Sequence, residues 1–436
     1  MKLRKQKSAG CCDRRVFLKY SALAAGGAIG FPTIVPSSVF GQNAPSNRIV
    51  IGCIGTGGMG MGNLRGFLGQ PNTQIVSVCD VDRKHLDKAL QTAGLTASSG
   101  TTDFREVISR SDIDVIVNST PDHWHVPIAI AAVTAGKDVY CEKPLTLTLG
   151  EGRLLADTVK RHNRVFQTGS HQRSDATFRR ACELIRNGRI GKLRDILVEI
   201  PPNNVHCSPD GWKQEPVPEE LDYDFWLGPA PWAPYTEQRC HYTFRFISDY
   251  SGGQMTNWGS HHFDIAQWGH GTDMTGPIRI EGRGFFPSSG LFDTAEQPEV
   301  TYTYADGVTL RCRTGSGSGG VTFSGQEGRL FVGRGQISAH PQSILKTSIN
   351  PGEIRLYYSD DHKGNFLDCV RSRTTPVASA EIGHRSASIC HLGNIAMLLG
   401  RPLQWDPLKE EFIHDDQANR MRFRIMRDLW KLNKTM

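Results

Sequence analysis

Beyond its first 41 residues this chain of 436 carries no net charge. The formal surplus of +6 belongs wholly to Lys2, Arg4, Lys5, Lys7, Arg14, Arg15 and Lys19, set against Asp13 alone. A nucleic acid or an anionic membrane surface therefore finds no matching field on the remainder. The 11 cysteines include no C-x-x-C pair and no repeated spacing. That excludes a patterned disulfide framework and a structural zinc site; it is the usage of buried thiols in a protein that folds under reducing conditions. The apolar stretch at residues 20–35, rich in Ala and Gly and broken by Pro32, falls short of the roughly 20 apolar residues of a spanning helix. With 38% hydrophobic and 22% charged residues, the composition is that of an ordinary globular protein. The length exceeds one compact core, so two domains are expected.

What is present begins with the paired Arg14 and Arg15, followed by Phe17, Leu18 and Lys19, the pattern of a twin-arginine export signal. The leader is expected to span residues 1–41, with cleavage after Gly41 or retention as an anchor. The twin-arginine machinery carries folded proteins, so a periplasmic protein using it must acquire any cofactor beforehand.

From Arg48 the character changes. RIVIGCI is a β-branched run suited to a strand buried on both faces. Gly55, Gly57 and Gly60 follow in G-x-G-x-x-G register, with Thr56, Gly58 and Met59 completing the loop, and a helix pattern comes next. A second strand, TQIVSVCD, ends in Asp80, 25 residues after Gly55, where the ribose-binding acid of a dinucleotide fold is expected. Gly55 permits the tight turn, Gly57 lets the backbone approach a pyrophosphate, and Gly60 allows close packing of helix on strand. The pyrophosphate then sits at the positive end of the helix. Asp80 favours NAD, while Arg83 and Lys84 keep NADP open.

Strands and helices go on alternating to about residue 170, which predicts a doubly wound parallel sheet over residues 46–170. Ligands of such sheets bind beyond the carboxyl ends of the strands, here at residues 55–60, Asp80, residues 120–125 and residues 142–144. A second domain, residues 171–436, begins with a Pro-rich aromatic stretch over residues 201–235, too long for a simple connection. It continues with a hairpin turning at Asp306 and Gly307 and further strands, and ends in a terminal helix or extended arm.

STPDHWH and CEKP, taken with the glycine loop, resemble the glucose–fructose oxidoreductase / inositol dehydrogenase family (Gfo/Idh/MocA). The resemblance implies an N-terminal Rossmann domain and a C-terminal α+β domain with a mostly antiparallel sheet. It also implies a homo-oligomer, dimer or tetramer, acting on a small carbohydrate or polyol. By the same resemblance Lys143, next to Glu142, stands beside the nicotinamide and steadies the oxygen of the reacting hydroxyl while a histidine takes its proton, and Thr120, Pro121 and His125 belong to the loop near the nicotinamide ribose. His123, Trp124 and Arg173 are candidate substrate contacts.

The stretch SGGQMTNWGSHHFDIAQWGHG is where the family usually sets an Asp and a His four residues apart on one helix face. Here that register selects His261, with Asn257 in the place of the aspartate. Asparagine can hold an imidazole but cannot stabilise its cation, so His261 is expected to be the weaker base. Asp264, one turn on, is placed to supply the missing carboxylate; His262, about 100° round the helix, cannot face the same substrate atom as His261 and is a further candidate substrate contact. The spacing of His261, His262 and His270 does not put three ligands on one face, so no metal site is expected. The expected activity is NAD(P)-dependent oxidation of a sugar or polyol hydroxyl with a retained cofactor. Redox-neutral cleavage of a glycoside through transient oxidation is the alternative, and a non-catalytic sugar-binding protein is the third reading.

Overall fold

The computed structural model describes residues 48–206 and 211–432. The arginine pair of the leader and its cleavage point lie outside the described residues. Six strands, β1 (Ile49–Ile54), β2 (Thr73–Cys79), β3 (Gly100–Thr101), β4 (Val115–Asn118), β5 (Asp138–Cys141) and β6 (Phe166–Thr168), form an all-parallel sheet in the order β3-β2-β1-β4-β5-β6. Every residue of β4 and β5 is buried, because helices cover both faces. Leu64 and Phe67 from helix Gly58–Leu68 pack with Ile51 and Val117 on one side. Val126 and Ile130 from helix Asp122–Thr134 pack with Ile116 and Val139 on the other. The strand order reverses between β1 and β4, and that switch point opens a cleft at the strands' carboxyl ends.

The second sheet has nine strands: β7 (Leu193–Ile200), β8 (Arg279–Phe285), β9 (Glu296–Thr303), β10 (Thr309–Thr314), β11 (Gly320–Gly325), β12 (Arg329–Gly333), β13 (Gln336–His340), β14 (Leu403–Asp406) and β15 (Glu411–Phe412). Their order is β13-β12-β11-β7-β10-β9-β8-β14-β15, antiparallel throughout except for β7 beside β10. The hairpin read at Asp306 and Gly307 joins β9 to β10, with Gly307 at φ 85°. Along β10 the inward Leu310 and Cys312 alternate with outward Arg311 and Arg313, so one face is apolar. Helices Ala176–Arg186, Gly259–His270 and Ala380–Leu399 bury it, with Phe178, Phe263 and Ile389 in the shared core.

Two tertiary connections carry no local signal. Helix His362–Ser372 returns to the first sheet, inserting Phe366 and Leu367 beside Phe67. The C-terminal segment is an arm after a short helix Asp416–Arg420, and its Trp430 seats against Phe104, Trp124 and Phe225. The eight cysteines among the described residues are free and buried.

Candidate active site

A cleft of about 1040 Å³ runs from the glycine loop to the start of helix Gly259–His270. At its first end Gly55 takes φ 78°, and a Cβ there would stand 2.7 Å from the Thr120 nitrogen. A Cβ on Gly60 would lie 2.0 Å from the Gly55 oxygen, so only glycine lets this helix approach the strand so closely. Gly57 differs: its nearest neighbour would be the His85 ring at 3.5 Å, and it faces the cleft beside Gly58 and Met59. The helix starting at Gly58 has no side-chain cap, so its free N–H groups suit an anion. Valine at Gly57 is therefore expected to abolish bound NAD while leaving the thermal midpoint of the nucleotide-free chain nearly unchanged. Gly60→Ala should instead lower that midpoint; nucleotide content and unfolding scans separate the two.

Asp80 is fixed from behind. Thr56 donates to Oδ2 from its backbone nitrogen at 2.7 Å and from Oγ1 at 3.1 Å, and the Asp82 nitrogen donates to Oδ1 at 3.0 Å. Thr56 thus positions the acid and does not itself line the cleft. Arg83 is exposed, away from the lining, and Lys84 pairs with Glu220. A carboxylate facing inward with the nearby cations turned out is the arrangement for a ribose diol, and the residues present fit NAD.

At the other end β4 and β5 deliver the reacting groups. Asn118 accepts from Thr120 Oγ1 at 2.8 Å and donates to the His125 carbonyl at 3.0 Å. The His125 ring spans the Thr120 and Pro144 carbonyls at 2.8 and 2.7 Å, bracing one strand-end loop against the next. Pro121 lies in the wall, and Asp122 accepts from Ser251 Oγ at 2.5 Å; burial raises the Asp122 carboxyl. Burial would also raise Glu142, but His171 and the Asn63 amide at 2.9 Å outweigh it and hold Glu142 at about 2. Lys143 Nζ donates to the Asn257 carbonyl at 3.0 Å and to Asn257 Oδ1 at 3.2 Å. Desolvation in the cleft, helped by Arg245 and Arg334 and opposed by Glu142, brings the Lys143 amine down to about 8. His261 lines the same end; burial, then the charge of Lys143, holds it well below its ordinary value, and its Nδ1 is buried without a partner.

Several expected neighbours are elsewhere. Asn257 does not hold His261: the helical run divides at Trp258, and the Asn257 side chain is taken by Lys143 and by Gln254 at 3.0 Å. Asp264 does not replace the missing carboxylate, because Arg173 clasps it through Nε and Nη2 at 2.8 Å and Ser386 donates to it at 2.7 Å. That pair is sealed in the core of the second domain, so Arg173 is not a cleft residue. His262 turns to the Ser318 carbonyl at 2.9 Å and His270 to Asp306 at 2.8 Å, as their angular offset on the helix demands. His123 bonds the Trp226 carbonyl at 3.0 Å among aromatic rings, outside the lining; Trp124 bonds the same oxygen at 2.9 Å and reaches the wall. Sequence reasoning passed over His171, Arg245, Trp258 and Arg334, which do line the cleft. His171 follows the carboxyl end of β6 and was open to the strand-end rule; Arg334, in the turn between β12 and β13, has no such signal.

Two family models match: an oxidoreductase family's NAD-binding Rossmann fold over residues 49–170 and the same family's C-terminal alpha/beta domain over residues 206–432. The chain belongs to the Gfo/Idh/MocA oxidoreductase family. Within curated members it is similar to a glycosyl hydrolase family 109 protein of Shewanella pealeana, 29% identical over 204 residues, covering 42% of this chain and 44% of that one. It is also similar to an alpha-N-acetylgalactosaminidase of Shewanella oneidensis, 29% identical over 167 residues, or 36% of each chain. The match thus spans less than half the length of these Gfo/Idh/MocA relatives. Among solved structures the fold is shared with levoglucosan dehydrogenase in complex with NADH and levoglucosan (TM-score 0.62, 18% identity, 82% of this chain and 99% of that one). It is shared equally with the WlbA dehydrogenase of Bordetella pertussis in complex with NADH and UDP-GlcNAcA (TM-score 0.62, 16% identity, 82% and 99%). NAD is the cofactor of this family's Rossmann domain.

Proposed function

We propose that this chain reversibly oxidises a hydroxyl of a sugar, sugar derivative or polyol, with an NAD that it loads before twin-arginine export and does not release. The observation that carries the reading is Lys143, an amine with a pKa brought to about 8 and aimed by two oxygens of Asn257 beside a neutral His261. Residues 55–60 and Asp80 would hold the dinucleotide, and bound NAD supplies the hydride acceptor and donor. The chain's own groups handle the proton. A general base works best with a pKa near the operating pH, so Lys143 Nζ takes the hydroxyl proton and His261 contributes a hydrogen bond. This exchanges the roles expected from sequence, and the reason is burial, which holds His261 well below its ordinary value and brings the Lys143 amine to about 8.

The exchange has a pH consequence. Oxidation needs the neutral amine, so its rate rises as pH climbs through the Lys143 value. Asn257→Asp would set a carboxylate on Nζ, favour the ammonium, and move that limb alkaline by about one to three pH units. A pH profile of kcat/KM that stays in place in this variant rules out Lys143 as the base.

Periplasmic export supports cofactor retention, since a free nicotinamide pool is not expected there. Mature exported protein, purified without nucleotide and then denatured, should release close to one NAD per chain by chromatography. A nucleotide-free protein ends the retained-cofactor account. The family 109 relatives favour a second reading, redox-neutral glycoside cleavage begun by the same oxidation. An aryl glycoside that releases its phenol without net NADH would select it; oxidation of one free sugar coupled to reduction of another selects the first.

A further inference from the structure

The excursion between β7 and helix Gln254–Asn257 has a small apolar core of its own, including Leu221, Tyr223, Trp226, Tyr235, Phe244 and Tyr250. It is stitched to the chain just past β2. The Arg83 nitrogen donates to the Glu220 carbonyl at 2.9 Å, the Asp222 nitrogen to the Val81 carbonyl at 3.0 Å, and Asp82 forms a β-bridge with Leu221. Next to that seam, at the Asp80 end of the cleft, the excursion presents His241.

Three ligand-bearing groups meet here. Asp82 Oδ2 lies 3.4 Å from His241 Nε2 and 4.0 Å from His85 Nδ1, and the three ligand atoms fall within 4.8 Å of one another. Asp82 Oδ1 is occupied by the backbone nitrogens of Lys84 and His85 at 2.8 and 3.4 Å, which leaves Oδ2 for the histidines. The other close acid is Asp80, whose Oδ2 is 3.8 Å from His85 Nδ1. His241 holds φ 54°, a left-handed conformation unfavourable for a side chain of its size, and sets its ring edge-on to His85 at 4.8 Å.

These spacings are long for hydrogen bonds. The Asp82–His241 spacing of 3.4 Å is near the separation of about 3.3 Å between neighbouring ligand atoms on a tetrahedral cation with bonds of about 2.0–2.1 Å, and the 4.0 Å to His85 has to close by about 0.7 Å for His85 to join it. Two imidazole nitrogens and one carboxylate oxygen are a donor set that suits zinc, with a fourth position open. We propose that Asp82, His85 and His241 bind one divalent cation of the zinc type, which staples the excursion to the Rossmann edge at the dinucleotide end of the cleft. The site was not legible in the sequence, since His241 stands 156 residues beyond His85. A consequence for cofactor retention rests on the function proposed above; the site itself does not.

The test uses the full chain, stripped with chelator, incubated with excess Zn²⁺ and passed through a desalting column. Mass spectrometry of the metal should find one zinc per chain, and Co²⁺ in its place should give the visible bands of a tetrahedral site. His241→Gln and Asp82→Asn, both able to keep the local packing, should weaken Zn²⁺ binding by at least about 100-fold. Wild type that retains no zinc overturns the proposal, as does zinc held equally by folded variants, which would place it on other surface groups. Circular dichroism checks the fold, and the Co²⁺ spectrum of wild type stands even if a variant fails to fold. NAD content is read separately: zinc bound without NAD sinks only the retained-cofactor reading, and NAD lost faster after chelation links the two.

Discussion

Lys143→Met is expected to lower kcat/KM for sugar oxidation by about 10²–10⁴-fold, the usual contribution of a positioned acid–base group, with the NAD content unchanged. The separation follows from position. The dinucleotide loop lies at residues 55–60, whereas the Lys143 amine is bonded to Asn257 at the far end of the cleft. The sign of the pH dependence follows from the same group. In wild type, oxidation rises through about pH 8 as the ammonium gives up its proton, and the reverse reduction falls over the same range because it needs the ammonium as donor. In the methionine variant both limbs disappear, along with the residual rate's sensitivity to Asn257. A variant that keeps the limb leaves the proton to His261; one that loses its NAD makes Lys143 a cofactor anchor.

The second large effect concerns stability. Arg173→Met leaves the Asp264 carboxylate buried without its cation, and breaking such a pair from one side costs about 3–5 kcal/mol. The side chains are only 2% and 1% exposed, so water cannot take over the missing bonds. Asp273 at 3.1 Å and the face of Trp268 at 5.0 Å hold the rest of the guanidinium. Methionine fills the space and satisfies none of the acceptors. The double variant Arg173→Met, Asp264→Leu removes both charges and should recover most of the loss. Urea unfolding of both variants against wild type measures this, and a single variant as stable as wild type would show that the pair contributes nothing. Activity lost only in step with unfolding agrees with a structural role; lost catalysis in a fully folded Arg173 variant would return Arg173 to the substrate site.

What the sequence by itself determined lies mostly in the first 120 described residues. There the signals are local: β-branched runs that need burial on both faces, glycines at the turn, and an acid at the end of the second strand. Each constrains its own neighbourhood, and the parallel sheet follows because alternating strands and helices have few other ways to bury their faces. Asp80, Gly55 and Gly60 stand where that logic puts them. The hairpin at Asp306 and Gly307 was legible for the same reason.

Only the tertiary structure decided which polar group meets which. A helical reading sets Asn257 and His261 four residues apart on one face, but it cannot show that Lys143, 114 residues away, takes the asparagine first. The same reading offers Asp264 to His261, yet Arg173, 91 residues distant, claims it. Inside a folded chain an unpaired charge is costly and a multiply bonded one is held firmly. The partner that arrives with the best geometry therefore wins, wherever it lies in the sequence. Local pattern states which face a side chain occupies; what stands opposite that face is settled when the two sheets and their connecting excursion pack.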